Sequence, residues 1–122
     1  MPKITAKEVP NVADVYDYAV SDKIVGVSIF TSAIGLGYRT DNMKARPSNW
    51  ADFYDVAKFP GRRALPKSPI HTLEGALLAD GVDPKKLYPL DVDRAFKKLD
   101  TIKPHIAVWW TSFTQTTQLL QS

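Results

Sequence analysis

Cysteine is absent from the 122 residues of this chain, and histidine and glycine are scarce. The absence of cysteine excludes a disulfide framework, a thiolate metal site and a cysteine nucleophile. The two histidines, His71 and His105, have no ligand-spaced companion, so a zinc site is not expected. The pair Gly35-x-Gly37 lacks the third glycine of a dinucleotide fingerprint, and no Walker A phosphate loop is present. We therefore expect neither a metal nor a cofactor.

Long hydrophobic runs are also missing. No stretch approaches the roughly 18 apolar residues that a membrane span needs. The segment Met1–Glu8 lacks the apolar core of a signal peptide. We expect no membrane insertion and no signal peptide in this chain.

The positive charge is scattered rather than concentrated. The net charge is +3, and acidic residues separate the basic groups, which include Lys44, Arg46, Lys58, Arg62, Arg63, Lys67, Lys85, Lys86, Lys97 and Lys98. Nucleic-acid binding favours one continuous basic face. Binding to nucleic acid is therefore not expected, although a stand-alone basic interaction or nucleic-acid-binding domain stays as the alternative function.

A small α/β enzyme is a third hypothesis. Asp52 and Asp55 are spaced i, i+3 on a predicted helix, and paired carboxylates can carry out acid–base chemistry. On the polar face of an amphipathic helix, such residues are more often solvated. No serine lies in a nucleophile elbow. We predict no catalytic residues and no enzymatic activity.

Strand and helix patterns alternate along the chain. Runs rich in β-branched or aromatic residues predict strands over 23–30, 34–38, 63–65 and 106–110. Apolar spacing and capping signals predict four helices: from Ser48 to Ala57, from Ser68-Pro69 to the residue before Gly81, from Asp91 to Ile102, and over 113–121 with a Ser112/Gln115 capping box. This order predicts an α/β domain with a mixed, mostly parallel sheet.

Five segments, read in order, resemble the bacterial extracellular solute-binding family that includes the spermidine/putrescine-binding proteins. They are Val27–Asp41, Ser48–Arg63 with its Trp50-Ala-Asp52 and Phe59-Pro-Gly61 motifs, Leu73–Gly81, Asp91–Pro104 and Val108–Gln118. The resemblance implies a three-layer α/β/α lobe of a type II periplasmic binding protein. Residues about 24–121 match the central lobe, the first lobe is absent, and residues 1–122 are interpreted as a single α/β domain.

The resemblance also implies a function. Proteins of this type hold a small-molecule ligand between two lobes and close on it, which presents a surface to an ABC permease. The intact protein would be periplasmic. A lobe without its partner exposes an apolar face, so we expect self-association as a homodimer or by strand exchange.

Ligand contacts in such a lobe come from strand ends and helix N-termini, where free amides attract polar or anionic groups. Three places qualify, and together they contain Thr31, Ser32, Ser68, His71, Trp110, Thr111 and Ser112.

The sequence departs from the pattern of polyamine binders near the start of the second helix. Polyamine binders of this family place acidic side chains near the start of the second helix, because a buried ammonium needs a carboxylate partner. Ser68 and His71 stand in those places here, and Glu74 lies one turn further in, where we interpret it as misdirected. An amino acid, γ-aminobutyrate or an opine therefore fits at least as well as a polyamine.

Overall fold

The computed structural model describes residues 7, 9–14, 32–41, 43 and 45–121. The chain divides into two units, residues 1–33 and residues 34–122. In the first unit, Pro10–Asp14 form a short 3-10 helix. The predicted strand over 23–30 lies outside the described residues. The interpretation of the chain as one domain stays a prediction.

The second unit alternates helices and strands. In chain order its elements are α1 (Trp50–Tyr54), β1 (Arg63–Pro66), α2 (Thr72–Ala79), α3 (Val92–Ile102), β2 (Ile106–Trp110) and α4 (Phe113–Gln121), with 3-10 turns at Pro84–Lys86 and Lys103–His105. The strands pair in parallel, with Leu65 opposite Trp109 and Pro66 opposite Trp110. The predicted α/β fold with a parallel sheet is confirmed.

Helices cover both faces of this strand pair. Leu65 on β1 belongs to a buried cluster with Leu73, Ala76, Leu77, Ala95, Leu99 and Ile102 from α2 and α3. Successive side chains of a strand point to opposite faces. Val108, whose partner is Ala64 and not Leu65, therefore faces the other way, and it lines a cavity with residues of α4. This arrangement is the predicted α/β/α layering.

The contact between α1 and α2 depends on a glycine. The ring of Trp50 packs so closely on α2 that a Cβ at Gly75 would lie 3.0 Å from two ring carbons. Real Cβ atoms rarely approach so near, so a larger side chain would push α1 away from the core.

The first helix is shorter than predicted, and its cap lies one residue later. The Asn49 side chain accepts a hydrogen bond from Asp52 N at 2.9 Å, so Asn49 is the N-cap. Ser48 instead donates its amide and hydroxyl to the Asp52 carboxylate, at 2.8 and 3.0 Å. The helix ends at Tyr54 and does not reach Ala57.

Residues 34–38 do not form the predicted strand. They carry no regular secondary structure, although their burial alternates as in an extended chain. A strand needs a neighbour to bond its amides, and no strand pairs with this segment in the part of the chain that the structure describes. Gly37 does permit a close approach, since a Cβ there would lie 3.3 Å from Leu120 Cδ1.

A buried guanidinium holds the loop between α1 and β1. Arg63 is only 8% exposed, and it donates to the carbonyls of Phe53 at 3.1 Å, Gly61 at 2.7 Å and Asp55 at 3.4 Å, and also to that of Phe59. Burial lowers the pKa of Arg63, but an arginine stays charged at neutral pH. One of these carbonyls, that of Phe53, lies in the last turn of α1, so Arg63 satisfies a carbonyl that the helix itself leaves without a partner.

Replacing Arg63 by methionine should destabilise the fold strongly. The carbonyls that it satisfies would lose their donor while remaining partly buried, at a cost of about 3 kcal/mol in the free energy of unfolding. Urea unfolding of Arg63→Met measures this loss. The matched control is Arg62→Met, because Arg62 is the exposed neighbour. Equal stability of the two variants would refute the role of Arg63.

A charged cluster joins α2 to α3. Arg94 Nε donates to Asp80 Oδ2 at 2.6 Å, and its Nη2 donates to the Asp80 carbonyl at 2.9 Å. Lys98 Nζ lies 3.5 Å from Asp80 Oδ1. The hydrogen bond from Arg94 holds the pKa of Asp80 below its usual value.

The stabilisation by Asp80 should disappear in acid. Its folded pKa lies below the unfolded value of about 3.9, so the carboxylate stabilises the fold above that pH and loses this effect as the pH falls through the folded pKa. The melting temperatures of the wild-type chain and Asp80→Asn should differ at neutral pH and converge below about pH 4. Asp100→Asn on α3 is the control. A pH-independent difference for Asp80→Asn would contradict the prediction.

Candidate functional site

Two strand-to-helix connections leave the sheet at the same edge. We call residues 67–71, between β1 and α2, the first corner. Residues 110–112, the last residue of β2 and its connection to α4, are the second corner. Pro66 lies opposite Trp110, and Lys67 N donates to Trp110 O at 2.8 Å. The strands are parallel, so both corners lie at their carboxyl ends, where α/β folds bind ligands.

The first corner is a tight turn and not a direct helix start. Ser68 Oγ accepts from Ile70 N at 3.2 Å, and Thr72 Oγ1 donates to Pro66 O at 3.4 Å. Helix α2 begins at Thr72, so the prediction that Ser68-Pro69 opens it was wrong. The chain first passes through His71, whose φ of 67° is left-handed, and His71 makes no side-chain capping bond. The exposed His71 is the N-cap residue by position alone.

The second corner is held by one side chain. Gln115 Oε1 accepts from Thr111 N at 2.7 Å, from Ser112 N at 3.2 Å and from Thr111 Oγ1 at 3.4 Å. The glutamine half of the predicted capping box is therefore confirmed. Thr111 and Ser112 are exposed, and the half-buried Trp110 packs its ring 5.4 Å from that of Phe113.

The two corners contain no acidic residue and one basic residue, Lys67. The next acidic residue after the first corner is Glu74, whose Oε1 accepts from Tyr88 Oη at 2.9 Å. This hydrogen bond raises the pKa of Tyr88. Apolar side chains accompany the hydroxyls: Ile70 is 63% exposed in the first corner, and Phe113, 68% exposed, follows the second. The edge therefore offers hydroxyls, a cation and apolar surface.

The structure brings five of the seven predicted site residues to this edge: Ser68, His71, Trp110, Thr111 and Ser112. Ser32 is exposed and belongs to the unit of residues 1–33, and Thr31 lies outside the described residues. Sequence reasoning missed Lys67, whose amide links the corners. It identified Gln115 only as a cap.

The paired carboxylates on α1 have local roles. Asp52 accepts both polar groups of Ser48, and Asp55 Oδ1 accepts from Lys58 N at 2.9 Å. The hydrogen bond from the Ser48 amide lowers the pKa of Asp52, which makes it a poor general acid. Among the described residues, no three metal-binding side chains cluster, and no helix is long and apolar enough to cross a membrane.

Comparison with known proteins identifies several relatives of this chain. The family model for bacterial extracellular solute-binding proteins matches residues 2–122. A γ-aminobutyric acid-binding protein of Pseudomonas aeruginosa is 43% identical in an alignment of 100 residues that covers 78% of this chain and 28% of that protein. The crystal structure of an ABC transporter substrate-binding protein from Bradyrhizobium japonicum is 71% identical and has a TM-score of 0.62, over 63% of this chain and 24% of that one.

A third relative is the solved structure of the Atu4243–GABA receptor. It is 57% identical with a TM-score of 0.59, over 65% of this chain and 25% of that one. The chain thus spans about a quarter of the length of the relatives that it matches. These relatives are named as binding proteins or receptors, and the expectation of a non-enzymatic protein agrees with their names.

The left-handed residue in the first corner should favour glycine. A side chain at φ 67° crowds the following carbonyl, so His71→Gly should raise the free energy of unfolding by about 0.5 kcal/mol. His71→Val should lower it by about 1–2 kcal/mol, because a β-branched residue tolerates this backbone least. Thermal unfolding of both variants is the measurement. Valine as stable as glycine would contradict the left-handed turn.

Proposed function

Since the chain belongs to the bacterial extracellular solute-binding protein family, we propose that it forms one wall of the ligand cleft of a binding protein for an ABC importer. The observation that carries the proposal is the adjacency of the two corners at the carboxyl edge. Ser68 and His71 in one corner stand beside Trp110, Thr111 and Ser112 in the other, linked through the Lys67–Trp110 bond. A small ligand can touch both corners at once.

We propose an amino-carboxylate ligand of the γ-aminobutyrate or amino-acid kind. Hydroxyls, main-chain amides at helix starts and the nearby charge of Lys67 suit a carboxylate. A polyamine would need carboxylates, and neither corner contains one. Two of the relatives are named for γ-aminobutyrate, which supports this choice. The spermidine/putrescine specificity suggested by the sequence resemblance is therefore not retained.

We also propose two partners for this chain, a second lobe and an ABC permease. A second lobe would complete the cleft, and closure of the two lobes on the ligand would present the protein to an ABC permease in the periplasm. Ile70 and Phe113 would then lie against the ligand or the other lobe, because good small-molecule sites combine apolar walls with a few polar groups. In a lobe alone, the same exposed apolar residues favour self-association.

The alternative of nucleic-acid binding is weaker. Several basic residues are already engaged: Arg63 with main-chain carbonyls, Arg94 and Lys98 with Asp80, and Arg39 with Asp41. Engaged cations are less available for phosphate contacts, and binding to nucleic acid depends on many such contacts.

Titration of the isotopically labelled 122-residue chain with γ-aminobutyrate tests the proposal. We expect millimolar affinity, because one wall buries only part of the ligand, and amide NMR shifts concentrated in residues 67–72 and 110–113. Putrescine should shift these amides less. Ser112→Ala should weaken binding about threefold through a lost hydroxyl contact, whereas Thr117→Ala on the exposed part of α4 should not.

Two results would count against the proposal. One is a γ-aminobutyrate titration without shifts at either corner. The other is putrescine acting on the same amides at lower concentration, which would return the ligand class to polyamines.

A further inference from the structure

We infer that Gln115 is a positioning residue for the ligand wall. Its carboxamide oxygen fixes the backbone of the second corner, and this backbone sets where the Thr111 and Ser112 hydroxyls and the Trp110 ring point. The inference rests on the proposed function, because it assigns Gln115 a part in that same site.

Three donors converge on one atom of Gln115. The amides of Thr111 and Ser112 and the hydroxyl of Thr111 lie 2.7, 3.2 and 3.4 Å from Oε1. The Gln115 backbone amide also donates to Ser112 O at 3.1 Å. The side chain and main chain of one residue thus hold both exposed residues of the corner from two sides.

The hydrogen bonds of Gln115 extend beyond those of an ordinary helix cap. A capping glutamine normally satisfies the amide of the N-cap residue, which here is Ser112. Gln115 also takes the amide of Thr111, which lies before the helix and directly after Trp110, the residue at the end of the strand pairing. The backbone is therefore hydrogen-bonded at each residue from Trp110, which accepts from Lys67, to Thr111 and Ser112, which donate to Gln115.

Gln115 can be changed without opening the core. Helix α4 has no buried residue, and Gln115 itself is exposed. Gln118 lies one turn later on α4. Gln115 and Gln118 both line a cavity of about 260 Å³, together with Val108 and Leu119. Gln118 makes no hydrogen bond to the second corner among the described residues. It is therefore a matched control of the same residue type, helix and cavity.

The experiment compares Gln115→Met, Gln118→Met and Gln115→Glu in the 122-residue chain. Methionine keeps the length of glutamine but removes the acceptor, so in Gln115→Met the Thr111 and Ser112 amides should exchange with solvent about tenfold faster and γ-aminobutyrate should bind about five- to tenfold more weakly. Gln118→Met should change neither. Gln115→Glu retains the acceptor and should restore slow amide exchange.

Melting temperatures separate positioning from stability. Positioning is supported if Gln115→Met loses affinity while its melting temperature stays close to that of Gln118→Met. It is overturned if Gln115→Met binds γ-aminobutyrate like the wild-type chain, if both methionine variants lose affinity equally, or if amide exchange at Thr111 is unchanged.

These failures are distinguishable from failure of the proposed function. If the wild-type chain binds γ-aminobutyrate and Gln115→Met binds equally well, only the role of Gln115 falls. If the wild-type chain itself does not bind, the proposed ligand falls, and the role of Gln115 at that site falls with it.

Discussion

The guanidinium of Arg63 is the contact on which the rest of the second unit depends. It stands at the first residue of β1 and collects carbonyls from the chain between Phe53 and Gly61. Because a buried charge is tolerated only where its hydrogen bonds are satisfied, this loop can take few other shapes. The loop in turn places α1 against α2, where the ring of Trp50 fits over Gly75. Leu65, two residues after Arg63, then enters the core formed by α2 and α3.

The position of β1 decides where the proposed ligand wall lies. Its last residue, Pro66, accepts from Thr72 and pairs with Trp110, so the first corner begins where the second does. The Lys67–Trp110 bond joins the corners through the main chain, and side-chain rotation cannot break it. The two corners therefore form one connected surface at this edge of the sheet. A wall of this kind suits a hinged binding protein, in which stiff lobes move and the hinge absorbs the change.

Elements with complete local signals were predicted well. Helix α3 has its Asp91 cap and its spaced apolar residues in sequence, and β2 is a compact run of β-branched and aromatic residues. The predictions failed where a distant residue decides the outcome. Helix α1 ends at Tyr54, and the Phe53 carbonyl in its last turn accepts from Arg63, ten residues further along the chain. Residues 34–38 have the composition of a strand, but pairing depends on a neighbour that local sequence does not reveal.

In the candidate site, too, features with a local sequence signal were predicted, and features set by distant residues were not. Both corners could be predicted, because the carboxyl ends of parallel strands meet at one edge and the resemblance indicated which helices start there. The left-handed turn at His71 could not, because histidine carries no signal for it and Ser68-Pro69 suggested a helix start. Gln115 was visible only as a cap. Its second bond, to Thr111, depends on where the start of the helix lies relative to the strand end, and local sequence does not reveal this distance.

The proposed ligand class depends on which polar groups the proposed wall contains. The corner amides of Lys67, Ile70, Thr111 and Ser112 already donate within the chain. The polar groups that the proposed wall offers a carboxylate are therefore chiefly its hydroxyls and the cation of Lys67. Glu74, three residues after the first corner, has Oε1 hydrogen-bonded to Tyr88, while its buried Oε2 has no hydrogen-bond partner among the described residues. The corners themselves contain no carboxylate, so the ammonium group of the proposed ligand would need a partner outside them, in our proposal on a second lobe. Such a division, with one wall for each end of a zwitterion, would make lobe closure depend on both ends, because only a ligand with both charges gains contacts on both sides.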